Sequence, residues 1–298
     1  MSQYSIKDLE EITGIKSHTI RIWEKRYQCL MPKRTQTNIR YYDDDQLKRL
    51  LNITLLIRSG ERISDVANLS DEDLSKKVAE ISKGLNDISL QVDQLISAMI
   101  KLDEKNFNQI MEKSIVKNGF EFTMENILFP FMEKVGFLWL TGVITPAREH
   151  FASSIMKQKL LSTIDKIVTS YSPNAPTIVF ALHEKEMHEI SLLMAHYLAR
   201  KYGFQTIYLG QSTPMDCLID ILNESKAKIY VTAFITSVPE KFIKSYLTEL
   251  LLRIPNLSIF TFGAQVTNQK LQLPDKVRII YTLQEMKKVL KELQNLSE

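Results

Sequence analysis

Residues 5–60 read SIKDLEEITGIKSHTIRIWEKRYQCLMPKRTQTNIRYYDDDQLKRLLNITLLIRSG. Ser5 precedes a short apolar stripe, Ile6, Leu9 and Ile12, which stops at Gly14. A capping serine at one end and a residue that tolerates left-handed backbone at the other bound a short helix and a tight turn. A second helix is predicted from Ser17 to Tyr27, with Ile20, Trp23 and Tyr27 on one face and His18, Arg21 and Lys25 on another. The first face packs; the second is basic and free. Helix, glycine turn and basic helix in this order can set the second helix in a DNA major groove. Pro32, the turn-prone TQTN at 35–38 and the alternation from Ile39 to Tyr42 predict a small hairpin that brings Arg34 and Arg40 to phosphates. Asp43 to Asp45 cap the next helix, which closes on Gly60.

Charge supports this reading. Lys16, Arg21, Lys25, Arg26, Lys33, Arg34 and Arg40 face only Glu24 between positions 16 and 40, although the whole chain carries a net charge of just +3. At 298 residues the chain is longer than one core usually grows, so two or three domains are expected. Nine Gly and nine Pro argue against an all-β or disordered chain. No apolar run approaches the roughly 20 residues that cross a bilayer. The start, MSQYSIKDLEE, lacks a signal peptide's apolar core, so a cytoplasmic protein without membrane partners is expected. Cys29 and Cys217 lie far apart, which excludes a disulfide framework or thiolate metal cage.

Beyond Gly60, ERISDVANLSDEDLSKKVAEIS reads as a short helix, then a helix capped near Asp71, with a linker break at Gly84. Four helical stretches follow, at 86–101, 103–118, 121–141 and 146–169, with breaks at Leu102-Asp103, Gly119 and Gly142. Such short connections predict an antiparallel four-helix bundle. Leu128, Phe131, Met132, Val135, Leu138 and Trp139 recur at helical spacing, so bundle core is their default reading.

From about 175, the runs TIVFAL (177–182), QTIYLG (205–210), KIYVTAF (228–234), LSIFTFG (257–263) and VRIIYT (277–282) alternate with amphipathic helices. This pattern predicts a parallel α/β sheet with ligand loops at the C-terminal ends of its strands. No glycine lies between Pro176 and Gly203, so the dinucleotide fingerprint is absent.

The N-terminal stretch SIKDLEEITGIKSHTIRIWEKRY, with PKRTQTNIRYYDDDQLKRLLNITLLIRSGERISDV after it, resembles the MerR family of winged-helix transcription regulators. The resemblance implies phosphate or base contacts for His18, Thr19, Arg21, Arg26, Arg34, Arg40 and Tyr42, while Trp23, Tyr27 and Tyr41 keep their core reading. Gln28 and Asn38 stand where the family usually has glycine; Asn tolerates left-handed backbone, so the wing is expected to survive. The long coiled coil by which short members dimerise is missing, so the rest of the chain must supply assembly.

That remainder resembles the CarH and LitR group of the family, which binds cobalamin. Trp139 and, after nine intervening residues, Glu149-His150 match the residues covering the cofactor's upper face. Glu186, His188 and Ser191 match an acid, the histidine that binds cobalt from below, and a glycine. Thr232 stands for the group's Ser, Phe234 for its Leu, and Gly263-Ala264 for its Gly pair; Ser191, Thr232 and Ala264 are each bulkier than usual. One added methyl or hydroxymethyl in a packed site costs about 1 to 3 kcal/mol if nothing yields. Light sensors of the group carry a second His after the Trp, where this chain has Leu140.

The resemblance implies three domains. A winged helix-turn-helix at 1–75 comes first, a four-helix bundle at 86–170 caps the cofactor, and a flavodoxin-like α/β domain occupies 175–298. It implies a non-enzymatic regulator that binds operator DNA, senses cobalamin, most readily adenosylcobalamin, and acts as a homo-oligomer, dimer or tetramer. The alternatives are a regulator with a degenerate sensor controlled by a protein partner, and a corrinoid methyl carrier built from the same bundle and sheet.

Overall fold

The structure, a computed structural model, describes residues 3–35, 38–81, 88–140, 143–168, 175–267 and 271–295. Gly84, Gly142, the centre of the TQTN turn and the Leu140 side chain lie outside what it describes. Two compact units result, Met1–Ile155 and Met156–Glu298.

In the first unit, α1 (Ile6–Thr13) starts with a reciprocal cap: the Ser5 hydroxyl accepts from Asp8 N–H at 3.2 Å, and the Asp8 carboxylate accepts from Ser5 N–H at 2.6 Å. Gly14 closes it at φ +72°. Helix α2 (Ser17–Tyr27) buries Ile20 and Trp23 and ends on Gln28 at φ +50°. Strands β1 (Lys33–Arg34) and β2 (Arg40–Tyr41) pair antiparallel with Arg34 opposite Arg40, and Asn38 takes φ +64° in the turn between them. Asn serves there because its short polar side chain tolerates the left-handed region. Helix α3 (Asp44–Arg58), capped by Asp43, is followed by α4 (Ile63–Val66) and α5 (Asp71–Ile81).

Helices α6 (Ile88–Lys101) and α7 (Glu104–Asn118) lead into a stretch that the sequence presents as one helix over 121–141. The chain instead forms α8 (Phe120–Thr123), a π-helical turn (Met124–Leu128) and α9 (Phe129–Leu140). The cause is Pro130, which lacks an N–H and whose ring would strike the carbonyl four residues earlier; the wider turn before it makes room. Helix α10 (Pro146–Asp165) starts on a proline, which suits a first helical position. Phe107 and Phe131 meet edge to face at 5.4 Å in a core that includes Leu95, Met99, Val135 and Leu138. Asp93, buried in α6, is paired with Lys134 of α9 at 2.7 Å and with Arg58 of α3, and Lys101 donates to Asn52 of α3 at 2.9 Å. These bridges fasten α3 onto the helices that follow. Burial, then the Arg58 charge, lowers the Lys134 ammonium to about 8.

The second unit carries a five-stranded parallel sheet in the order β4-β3-β5-β6-β7. Its strands are β3 (Ile178–His183), β4 (Thr206–Thr213), β5 (Ile229–Ala233), β6 (Ser258–Phe262) and β7 (Val277–Ile279). Helices α11 (Ile190–Lys201), α12 (Met215–Glu224), α13 (Glu240–Arg253), α14 (Ala264–Thr267) and α15 (Leu283–Asn295) intervene. Every residue of β3 and β5 is buried, as continuous apolar strands require when helices cover both faces. The chain moves outward from β3 to β4 and then returns to β5. Strand order therefore reverses between β3 and β5, where open α/β sheets place their ligands.

Candidate functional site

The expected DNA-contact residues divide by exposure. His18, Arg21, Ile22, Lys25 and Arg26 form one exposed stripe on α2, three and four residues apart, opposite buried Ile20 and Trp23. Thr19 is half-buried, its hydroxyl 3.3 Å from His18 Nε2. In the hairpin Arg34 is exposed and donates to Asn38 Oδ1 at 2.6 Å, while Arg40 lies 3.8 Å from Glu24. Tyr42 corrects the expectation of a DNA contact: it is fully buried and its hydroxyl donates to Glu24. Burial and that carboxylate push its phenol well above the usual range, so Tyr42 is an internal prop between wing and α2.

Trp139 departs from its default core reading. It lies near the C-terminal end of α9 with 49% of its surface exposed. Glu149 and His150 stand in the first turns of α10, half-buried and exposed respectively, 3.5 Å apart between Oε2 and Nε2.

In the second unit, Glu186 and His188 occupy the loop after β3, and half-buried Ser191 lies in the first turn of α11. Glu186 is fully buried. Its Oε1 accepts from His188 N–H at 3.0 Å and lies 2.7 Å from His188 Nδ1. Its Oε2 accepts from Ile235 N–H at 3.1 Å and from Thr236 N–H and Oγ1, both at 2.8 Å. One carboxylate thus ties the loop after β3 to the loop after β5 at the switch point. Burial opposes its charge, but the bonds from His188 and Thr236 overcome that and hold the carboxyl well below its ordinary range. The His188 side chain remains 51% exposed.

Thr232 of β5 pairs in register with Thr261 of β6, and both hydroxyls are buried with no hydrogen-bond partner among the described residues. Gly263 follows β6 at φ +104°, where a Cβ would run into the Phe234 carbonyl; exposed Ala264 starts α14. Glu186, His188, Thr232, Gly263 and Ala264 therefore gather at or beyond the C-terminal ends of three adjacent strands. Sequence reading missed Thr236 and Ile235, whose contribution is largely backbone and leaves no side-chain signature. It also missed Glu189, buried and accepting from the Tyr208 hydroxyl at 2.7 Å, though an acid directly after His188 was a visible signal.

Residues 4–73 match the family model described as MerR HTH family regulatory protein, and residues 91–161 match the one described as B12 binding domain. The chain is similar to the HTH-type transcriptional repressor CarH of Myxococcus xanthus, 26% identical over 221 residues that cover 72% of this chain and 73% of that protein. It is 22% identical to the repressor CarA of the same organism over 240 residues, covering 80% and 78% of the two chains. The solved monomethylamine corrinoid protein of Methanosarcina barkeri shares the fold at a TM-score of 0.53 and 14% identity, over 70% of this chain and 100% of that one. This chain is a homologue of the MerR-type regulators CarH and CarA in which a MerR helix-turn-helix segment precedes a B12-binding segment.

Proposed function

We propose that this protein is a DNA-binding transcription regulator that senses cobalamin through residues beyond its winged helix. The observation that carries the reading is the joint presence, in one chain, of an exposed basic stripe on α2 and a half-exposed imidazole anchored on a buried carboxylate at the sheet's switch point. The homologues matched along most of the chain are transcription regulators, which supports a non-enzymatic role.

The donor set suits cobalamin. An imidazole whose Nδ1 is held by a carboxylate is oriented and made more basic, which suits it to bind a metal through its other nitrogen. The paired hydroxyls of Thr232 and Thr261 are buried polar groups for which a ligand would supply partners. When bound, cobalamin would supply a cobalt centre able to take an imidazole nitrogen. His188 would bind there, Glu186 would fix its ring, and Ser191, Thr232, Gly263 and Ala264 would receive the remainder of the molecule. Trp139, Glu149 and His150 would also contact the cofactor, as the resemblance implies.

On this reading residues 1–75 bind operator DNA through His18, Thr19, Arg21, Arg26, Arg34 and Arg40, residues 86–170 cap the ligand, and residues 175–298 hold it. Adenosylcobalamin is the form proposed, and ligand-dependent homo-oligomerisation, as dimer or tetramer, is the proposed output, because each tethered DNA module raises avidity without new contacts. The test is in vitro selection of duplexes from a randomised pool, followed by gel-shift titration and size-exclusion chromatography with and without adenosylcobalamin in the dark. Selection of a defined sequence, bound with cobalamin-dependent affinity, is expected. Binding without sequence preference, or indifferent to cobalamin, overturns the reading.

A further inference from the structure

The first turn of α10 reaches back to the opening residues of the chain. Arg148 donates from Nη1 to the Tyr4 hydroxyl at 2.5 Å and from Nη2 to Asp44 Oδ1 at 2.9 Å, and the Tyr4 hydroxyl donates to that same oxygen at 2.9 Å. Arg148 is only 14% exposed and Tyr4 is buried. A guanidinium that bonds two groups within a largely buried cluster is a different object from a solvated surface pair, since its geometry is fixed and water competes weakly.

The contacts continue from Tyr4. Its backbone exchanges hydrogen bonds with Tyr42, at 2.8 and 2.9 Å. The Tyr42 hydroxyl donates to Glu24 of α2, and Glu24 in turn faces Arg40 of the wing at 3.8 Å. Hydrogen-bonded and charged groups therefore run without a break from residue 148 to the helix and hairpin that carry the basic residues. Asp44 meanwhile stands in the first turn of α3, so the same guanidinium grips the winged helix at two elements. In the sequence, Arg148 directly precedes Glu149 and His150.

We propose that Arg148 is a positioning residue for DNA binding, which couples the start of α10 to the recognition helix through Tyr4, Tyr42 and Glu24. A shift of the helix end that carries Glu149 and His150 pulls on Tyr4 and Asp44, and so changes how Arg21 and Arg40 are presented. The source of that shift rests on the cobalamin reading; the contact and its effect on DNA affinity do not. Allosteric coupling is a ratio of affinities, so it is measured as one.

The experiment compares wild type, Arg148→Met and Arg148→Lys in the full-length protein, using a duplex recovered by selection as the DNA probe and adenosylcobalamin as the ligand. Hydrogen exchange comes first. In Arg148→Met the amides of Tyr4, Tyr42 and the first turn of α3 are expected to exchange faster, while those of α6 and α7 keep their protection. Unchanged exchange at Tyr4 and Tyr42 overturns the inference whether or not cobalamin binds. Next, the DNA dissociation constant of the unliganded Met variant should differ from wild type, with Lys partly restoring it. Where wild type responds to cobalamin, the ratio of its liganded and unliganded constants should collapse to within about twofold of unity in Arg148→Met while the retained corrinoid spectrum stays the same. Faster exchange with no change in either constant or ratio also overturns the inference. A wild type that retains no corrinoid defeats the cobalamin reading alone, because the exchange and unliganded affinity measurements still decide the role of Arg148.

Discussion

Glu186 and Thr236 stand fifty residues apart in sequence, yet one carboxylate oxygen of Glu186 receives both the backbone N–H and the hydroxyl of Thr236 at 2.8 Å. The other oxygen holds His188. The bond between β3 and β5 ends and the orientation of the imidazole are therefore one structural fact. With the Nδ1 proton directed at Glu186, the lone pair of the neutral ring belongs to Nε2.

Replacing Glu186 by Gln keeps the shape but sets its amide NH2 against backbone N–H donors on one side or the other, those of Ile235 and Thr236 or that of His188. A buried charged acceptor of several donors is lost, so the second unit should lose about 3 kcal/mol of stability, read by denaturant titration at pH 7. The folded carboxyl sits below its ordinary value of 4.5, so its stabilisation is fully present above that value and is lost as pH falls through the depressed folded pKa. Glu186→Gln should thus flatten the acid limb of the stability curve. A variant as stable as wild type at pH 7 would show that the five bonds are not formed together in solution.

His196 gives a second pH dependence, with a different window. Its ring stacks on Tyr208 at 4.9 Å, Nε2 lies 2.9 Å from the Thr206 hydroxyl, Arg200 is the charge that acts on it, and Glu189 accepts from the Tyr208 hydroxyl. Burial, then the Arg200 charge, lowers its pKa from 6.5 to about 4. The unfolded chain takes up the proton first, so stability is full above 6.5 and declines between there and about 4, by ~3 kcal/mol from this one ring. His196→Phe should remove that decline. A His196 resonance titrating near 6.5 in the folded protein would refute it.

Gly263→Ala tests the strand-end geometry. The added Cβ meets the Phe234 carbonyl at a backbone φ of +104°, so sterics and conformation both oppose it. A loss of about 3 kcal/mol is expected from thermal or chemical unfolding of the second unit, because neither backbone segment can move aside easily. An alanine variant within about 0.5 kcal/mol of wild type would mean the turn relaxes.

Much of this was legible in the residues themselves. The Gly14 turn, the Asp43 cap and the basic stripe of α2 are set by local rules, and the alternation after residue 175 specifies a parallel sheet because apolar runs of that length need cover on both faces. Periodicity misled where a local backbone exception intervened: Pro130 opens a π turn inside an apparently regular helix. It also misled at Trp139, since an aromatic at core spacing is indistinguishable from one on the rim near a helix end. Tyr42 was placed on DNA by resemblance, whereas its burial depends on Tyr4 and Glu24, partners that only the fold brings together. The Arg148 cluster was invisible for the same reason, its members being 104 and 144 residues apart.

Arg21→Ala should separate the two halves of the proposed function. Removing one phosphate-range cation from the exposed stripe should weaken DNA binding and lower the slope of log affinity against log salt by about one, with no change in corrinoid retention. An unchanged salt slope would take Arg21 off the interface.

The most direct test of the central claim is an ultraviolet-visible titration of the purified protein with adenosylcobalamin in the dark, wild type beside His188→Ala, each passed through a desalting column before its spectrum is read. Wild type should retain a corrinoid spectrum altered from that of the free compound, and His188→Ala should retain less, with the spectral change lost. No retained corrinoid in wild type, or an identical spectrum and affinity in His188→Ala, would contradict the account.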